Sequence, residues 1–244
     1  MAKYYHELRG VSKLRVSSGD DLTVPDAFYS LSGLLIKICC DIQVHLQNIV
    51  FVSHGAEVFE AKRILSESDS PRRRIEFLLS CPFGTEDPIL GTVFEHSKTI
   101  FQDIYKLRNV LAHEKWMSSD QFSGMVLFSK LEEEARLLLE GGKIFYVNEA
   151  KAKDTHEAIT RYIKKVKLVT CEDLRKAISS AELSRWIMMQ ISLVLNEKDP
   201  SKKQNLRDAF LVFKQTSKLF DDLSTDVDAI QVTGSKRKSI SDNI

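Results

Sequence analysis

The sequence predicts an all-α protein, a helical bundle with an added C-terminal helical hairpin and room for one short β-hairpin. Apolar residues recur at three- and four-residue steps over four long stretches, roughly 25–50, 86–113, 171–197 and 201–222. The breaks between them carry helix-boundary signals: Pro25, Ser70-Pro71, Pro82, Pro88 and Asp199-Pro200. Apolar residues make up 43% of the chain, enough to bury a core in a protein of 244 residues.

Residues 1–24, with Ser17-Ser18-Gly19-Asp20-Asp21, read as an N-terminal arm of irregular or short extended pieces. The helical domain then runs over 25–222. Its first helix carries Ala27, Phe28, Leu31, Leu34, Leu35, Ile38, Ile42, Leu46, Ile49 and Val50 at three- and four-residue steps. A second short helix is expected from Ala56 to Leu65. A third opens at Ser70-Pro71, where Arg72-Arg73-Arg74 reads as a solvated face in preference to a phosphate patch.

Thr85-Glu86-Asp87-Pro88 is a cap with acids in the first turn, and the helix it starts reaches His113. Residues 117–120 read as a loop, and Gly124–Phe128 suits strand or helix. Leu131–Leu139 is helical, with Gly141-Gly142 as its stop. Ile144–Val147 has strand composition and is paired with 125–128. Helices continue over about 154–168, 171–197 and 201–222, the last two joined by Asp199-Pro200 as a hairpin. Residues 223–244 read as a disordered tail.

Lys plus Arg number 35 against 34 Asp plus Glu, so any nucleic-acid contact must be local. Met1–Glu7 has no apolar signal core, and charges interrupt every apolar run of membrane-spanning length, so a cytoplasmic protein without a membrane partner is expected. Cys39, Cys40, Cys81 and Cys171 form no C-x-x-C pair and are expected as reduced core thiols. Neither metal-ligand spacing nor an H-E-x-x-H motif is present, so no metal or cofactor is expected. With only 10 glycines, phosphate-cradling loops are missing as well.

One stretch departs from this pattern. Tyr105–Trp116 brings Arg108, Asn109 and His113 together inside an apolar run at a helix end. Tyr105, Asn109 and His113 share one helical face. Arg108 and His113 are five apart, about 140° on the wheel, and converge only if the helix ends or bends near 113 or if a second subunit completes the site. Cations near a helix C-terminus are also favoured by the dipole alone, and Lys115 adds to that reading.

Arg108-Asn109-x-x-x-His113 at the end of a long helix resembles the signature of HEPN domains, and the likeness covers about residues 25–140. The resemblance implies an HEPN-like bundle and a metal-independent endoribonuclease that cleaves RNA by 2′-OH transesterification, often a toxin or antiviral effector, with its site at a homodimer interface. Arg108, Asn109 and His113 would then be catalytic: arginine to clamp phosphate oxygens, asparagine to orient, and histidine to carry protons near neutral pH. Tyr105, Lys106 and Lys115 are the candidate substrate-binding side chains, and Glu57, Glu60 or Glu95 could support the arginine. The implied partners are RNA, a second copy, and an antitoxin or regulatory protein. The rival reading is a non-catalytic helical dimerisation or interaction module of the same type.

Overall fold

A computed structural model of the protein describes residues 4–8, 11, 14–53, 71–80, 87–145 and 152–216. Among these the chain is mostly helical. The α-helices are α1 (Asp26–Ser53), α2 (Pro71–Ser80), α3 (Pro88–His113), α4 (Leu131–Phe145), α5 (Ala152–Ile163), α6 (Cys171–Asn196) and α7 (Pro200–Thr216). The strands are β1 (His6–Glu7), β2 (Lys115–Met117), β3 (Met125–Ser129) and β4 (Lys167–Thr170). The expected helix at 56–65, the turn at 82–85 and the tail at 223–244 lie outside the described residues.

The chain divides into two compact units, one formed by residues 1–39 and 103–181 and the other by 40–102 and 182–244. The first unit is organised on an antiparallel sheet of order β1-β4-β3-β2. Its register places Leu127 opposite both Met117 and Leu168. That row packs with Leu8, Ile163 and Val166, with Ile159 and Tyr162 at the margin. Phe128 lies opposite Trp116, and their rings meet at 5.4 Å, with Phe28 of α1 edge-on to Trp116 at 5.5 Å. Both faces of β3 are therefore covered, which explains why Val126-Leu127-Phe128 reads as an unbroken apolar run with no strand alternation.

In the second unit the apolar stripe of α1 continues through Ile42, Leu46 and Ile49, all fully buried. Ser97 of α3 and Ser184 of α6 exchange reciprocal bonds: their hydroxyls meet at 2.9 Å, and each also donates to the other's carbonyl, at 3.3 and 3.1 Å. Two buried hydroxyls thus find their partners in one another's residues. Trp186 and Phe210 pack α6 against α7 at 5.5 Å, and Asp199 caps α7 by accepting from the Ser201 amide at 2.9 Å.

Several expectations need correction. The strand expected at 144–147 does not pair with 125–128, because α4 continues through Phe145, while 146–147 lie outside the described residues. Gly141-Gly142 is inside that helix, a position that glycine weakens by about 1 kcal/mol each without forbidding it. The partners of β3 are instead β2 and β4. Lys115–Met117 is a strand where the loop was expected to begin, and Ser118 bridges back to Ser17. The helix expected over 154–168 stops at Ile163, and Lys167-Leu168 enters β4. Asp87 caps α3, its carboxylate accepting from the Leu90 amide at 3.2 Å. The arm does structural work: His6–Glu7 pairs with β4, and Leu8 is buried.

Cys39 is buried as expected, whereas Cys40 is exposed and Cys171 half-buried; Cys81 lies outside the described residues. By length and composition α1 is the one described helix that could cross a membrane, but it carries Lys37 and Asp41 and buries Phe28, Leu35, Ile38 and Ile42 in the protein.

The aromatic contact of α1 with the sheet generates a direct test. Phe28→Ala removes a fully buried ring that touches Trp116 and Phe128, and should lower stability by about 3–5 kcal/mol in urea unfolding. A loss below about 1 kcal/mol would contradict this packing.

Candidate functional site

Helix α3 ends at His113 because the next residues are held by other elements. The Val110 carbonyl accepts from the Glu114 amide at 3.0 Å, and the Leu111 carbonyl accepts from the Trp116 indole at 2.9 Å. Two of the carbonyls that a helix end leaves unmatched are thereby satisfied. Trp116 is itself fixed by Phe28 and Phe128 and is covered by Tyr29, which stacks on it at 5.5 Å.

At this helix end Arg108 and His113 meet within one chain. Arg108 Nη1 donates to His113 Nε2 at 3.2 Å and to Asn109 Oδ1 at 3.1 Å, which uses both of its hydrogens. The guanidinium also lies 5.8 Å from the centre of the Tyr105 ring. The separation of about 140° on the wheel is bridged within one chain by the reach of the two side chains, since α3 is helical through His113. To accept from arginine, the imidazole must be neutral with its proton on Nδ1. The Arg108 Nε–H is buried and has no hydrogen-bond acceptor among the described residues, and Nη2 has none either. A buried donor left without a partner costs about 1–3 kcal/mol. These two N–H groups form the edge of a guanidinium that grips an oxyanion in parallel.

Arg108, Asn109, His113 and Tyr105 are thus brought together, and the two lysines are not. Lys106 binds the buried carboxylate of Asp103 at 2.8 Å, and Lys115 binds Glu134 of α4 at 2.7 Å. Glu95 is committed to Lys98 at 2.7 Å, while Glu57 and Glu60 lie outside the described residues. No carboxylate reaches Arg108 among the described residues. Glu114, next to the motif, is nine-tenths buried and paired with Lys167 of β4. No group of three His, Cys, Asp or Glu side chains among the described residues could hold a metal ion.

A second cluster, in the other unit, has no counterpart in any local motif. A cavity of about 510 Å³ is lined by Asp41 and His45 of α1 and by Glu182, Arg185 and Trp186 of α6. Arg185 bridges Glu182 and Asp41, the latter at 3.4 Å. Its residues come from positions about 140 apart in the chain, so only the single-turn pair Asp41/His45 could have been noticed in the sequence. Burial holds His45 below its ordinary value of 6.5; Asp41 opposes this and Arg185 adds to it.

No known family, curated protein or solved structure matches this chain.

The state of His45 generates a pH prediction. Its folded value lies below its unfolded one, so in that window the unfolded chain binds a proton the folded chain refuses. Stability is therefore full above 6.5 and falls as the pH drops through the folded value. Urea midpoints between about pH 7.5 and 5 should fall less for His45→Gln than for the wild type. An equal or steeper fall in the variant would contradict the assignment.

Proposed function

We propose that the chain is a metal-independent endoribonuclease of HEPN type, a toxin or defence effector acting on RNA in the cytoplasm. The observation that carries this reading is the 3.2 Å contact of Arg108 with His113 at the end of α3, with Asn109 on the same nitrogen. Supporting it is the unbonded Nε–H and Nη2 edge of Arg108, which suits the two oxygens of a phosphodiester. A side chain movement must first expose Nε, and the phosphate oxygen it then meets removes the cost of the unmatched donor.

RNA carries its own nucleophile, so the protein's tasks are few. Once Arg108 turns from His113 to the phosphate, the lone pair freed on His113 Nε2 takes the 2′-OH proton as that oxygen attacks the adjacent phosphorus. The P–O5′ bond breaks, leaving a 2′,3′-cyclic phosphate; the departing 5′-oxygen takes a proton from water, and the His113 imidazolium gives its own back to solvent. Arg108 balances the charge that builds on the phosphorane oxygens, with Asn109 holding its Nη1. Tyr105 keeps the guanidinium in place from its ring face. A homodimer belongs to this reading: since the Arg108–His113 pair closes within one chain, the second copy would complete the cleft that holds the strand. An antitoxin or regulatory protein is the corresponding physiological partner.

The second reading, a non-catalytic interaction module, is supported by the same nitrogen. Both Nη1 hydrogens are satisfied within the cluster, and a self-satisfied arginine can simply stabilise a helix end.

Purified protein incubated with RNA in EDTA should cleave it to 2′,3′-cyclic phosphate ends. Arg108→Ala and His113→Ala should each lower the rate by about 10²–10⁴-fold, and Arg108→Lys should not restore it. Cleavage surviving both alanine substitutions would sink the ribonuclease reading; dimers in sedimentation with no cleavage by any version would favour the interaction module.

A further inference from the structure

A cavity of about 460 Å³ in the first unit concentrates positive charge that the Arg108 cluster does not use. Its walls include Lys130, Lys164, Lys165 and Lys167 against one carboxylate, Glu133, together with Ser129 and Tyr162. In a chain of net charge +1, four ammonium groups around one cavity are a local concentration that folding has assembled.

The geometry of the backbone explains the assembly. After α5 the chain turns tightly, with the Lys165 amide bonded to the Tyr162 carbonyl at 2.9 Å and the Val166 amide to the Ile163 carbonyl at 3.1 Å. Val166 is fully buried and pins that turn, so the lysines on either side of it are left at the cavity wall. Lys130 arrives from a different element: it precedes α4, and its carbonyl accepts from the Glu133 and Glu134 amides. A solvated charge run would involve one segment, whereas here two segments more than thirty positions apart converge on one volume.

Two of the four charges are already matched. Lys165 binds Glu133 at 2.7 Å, and Lys167 is paired with Glu114. Lys130 and Lys164 are exposed and form no ion pair among the described residues. The Tyr162 and Ser129 hydroxyls both donate to Met117 Sδ at 3.8 Å, weak bonds that an anion's oxygen can replace.

We propose that this cavity binds a small phosphate-bearing anion of diphosphate class, with Lys130 and Lys164 as its principal charge partners and Ser129 or Tyr162 as a hydroxyl donor. Ammonium groups on flexible stems suit phosphate oxygens without imposing a planar geometry. The volume is that of a small-molecule site, and two cations outside any close ion pair, Lys130 acting on Glu133 only from farther off, suit a ligand with at least two negative charges. The site is separate from the Arg108 cluster in its residues and does not depend on the ribonuclease reading.

The test is calorimetry on the full chain with pyrophosphate, inorganic phosphate and sulfate at matched ionic strength, with a short single-stranded RNA as a further arm. Pyrophosphate should bind with one-to-one stoichiometry, and the Lys130→Gln/Lys164→Gln double variant should bind it at least about tenfold more weakly. Arg108→Ala should bind it like the wild type, which separates this site from the ribonuclease proposal. Circular dichroism checks that the double variant keeps its fold, and the single Lys164→Gln variant, expected to show an intermediate loss, stands in if it does not. Equal affinity for pyrophosphate and sulfate, or unchanged binding by the lysine variants, would overturn the proposal. So would RNA binding that needs the two lysines in a protein that ignores pyrophosphate, since the lysines would then line a strand path.

Discussion

The indole of Trp116 is the contact on which the candidate site depends. Its N–H occupies the Leu111 carbonyl, and its ring is held by Phe28 and Phe128. One side chain therefore satisfies a helix end, joins α1 to the sheet, and starts β2 two residues after α3 has stopped. The Glu114 amide on the Val110 carbonyl and the pairing of β2 with β3 hold the same helix end.

The polar cluster built on this anchor is economical in its hydrogen bonds on one side and deficient on the other. Nη1 of Arg108 is matched twice, while Nε is buried and unmatched. Such an imbalance is uncommon in folded proteins and draws attention to ligand binding. Around the cluster the lysines are drawn into ion pairs with Asp103 and Glu134, so the positive charge available to a polyanion comes from arginine here and from Lys130 and Lys164 at the cavity beside α4.

Legibility in the sequence tracked the range of the interactions. The helices α1, α3 and α6 were visible because each buries a stripe whose three- and four-residue period is written into its own residues, whereas α7 buries only Phe210 among its described side chains and leaves Val212 exposed. Of the strands only β3 was suggested, at 125–128 and with the wrong partner, because two to five residues carry too little period and their partners are distant: His6 pairs with Leu168, and Leu127 with both Met117 and Leu168. Ile144-Phe145 looked like a strand on composition and is helical, because α4 continues through two glycines that a local rule treats as a stop. The cluster of His45 with Arg185 had no signal beyond one helical pair, since its halves come from α1 and α6.

By itself the sequence determined the long helices, the residue types crowded into 105–116, and the choice between a helix end and a second subunit as ways to unite Arg108 with His113. Tertiary structure brings the pair together within one chain. Helical period is set by neighbours within four residues, but where a helix stops is set by whatever satisfies its last carbonyls, and here that partner is an indole positioned by rings from α1 and β3.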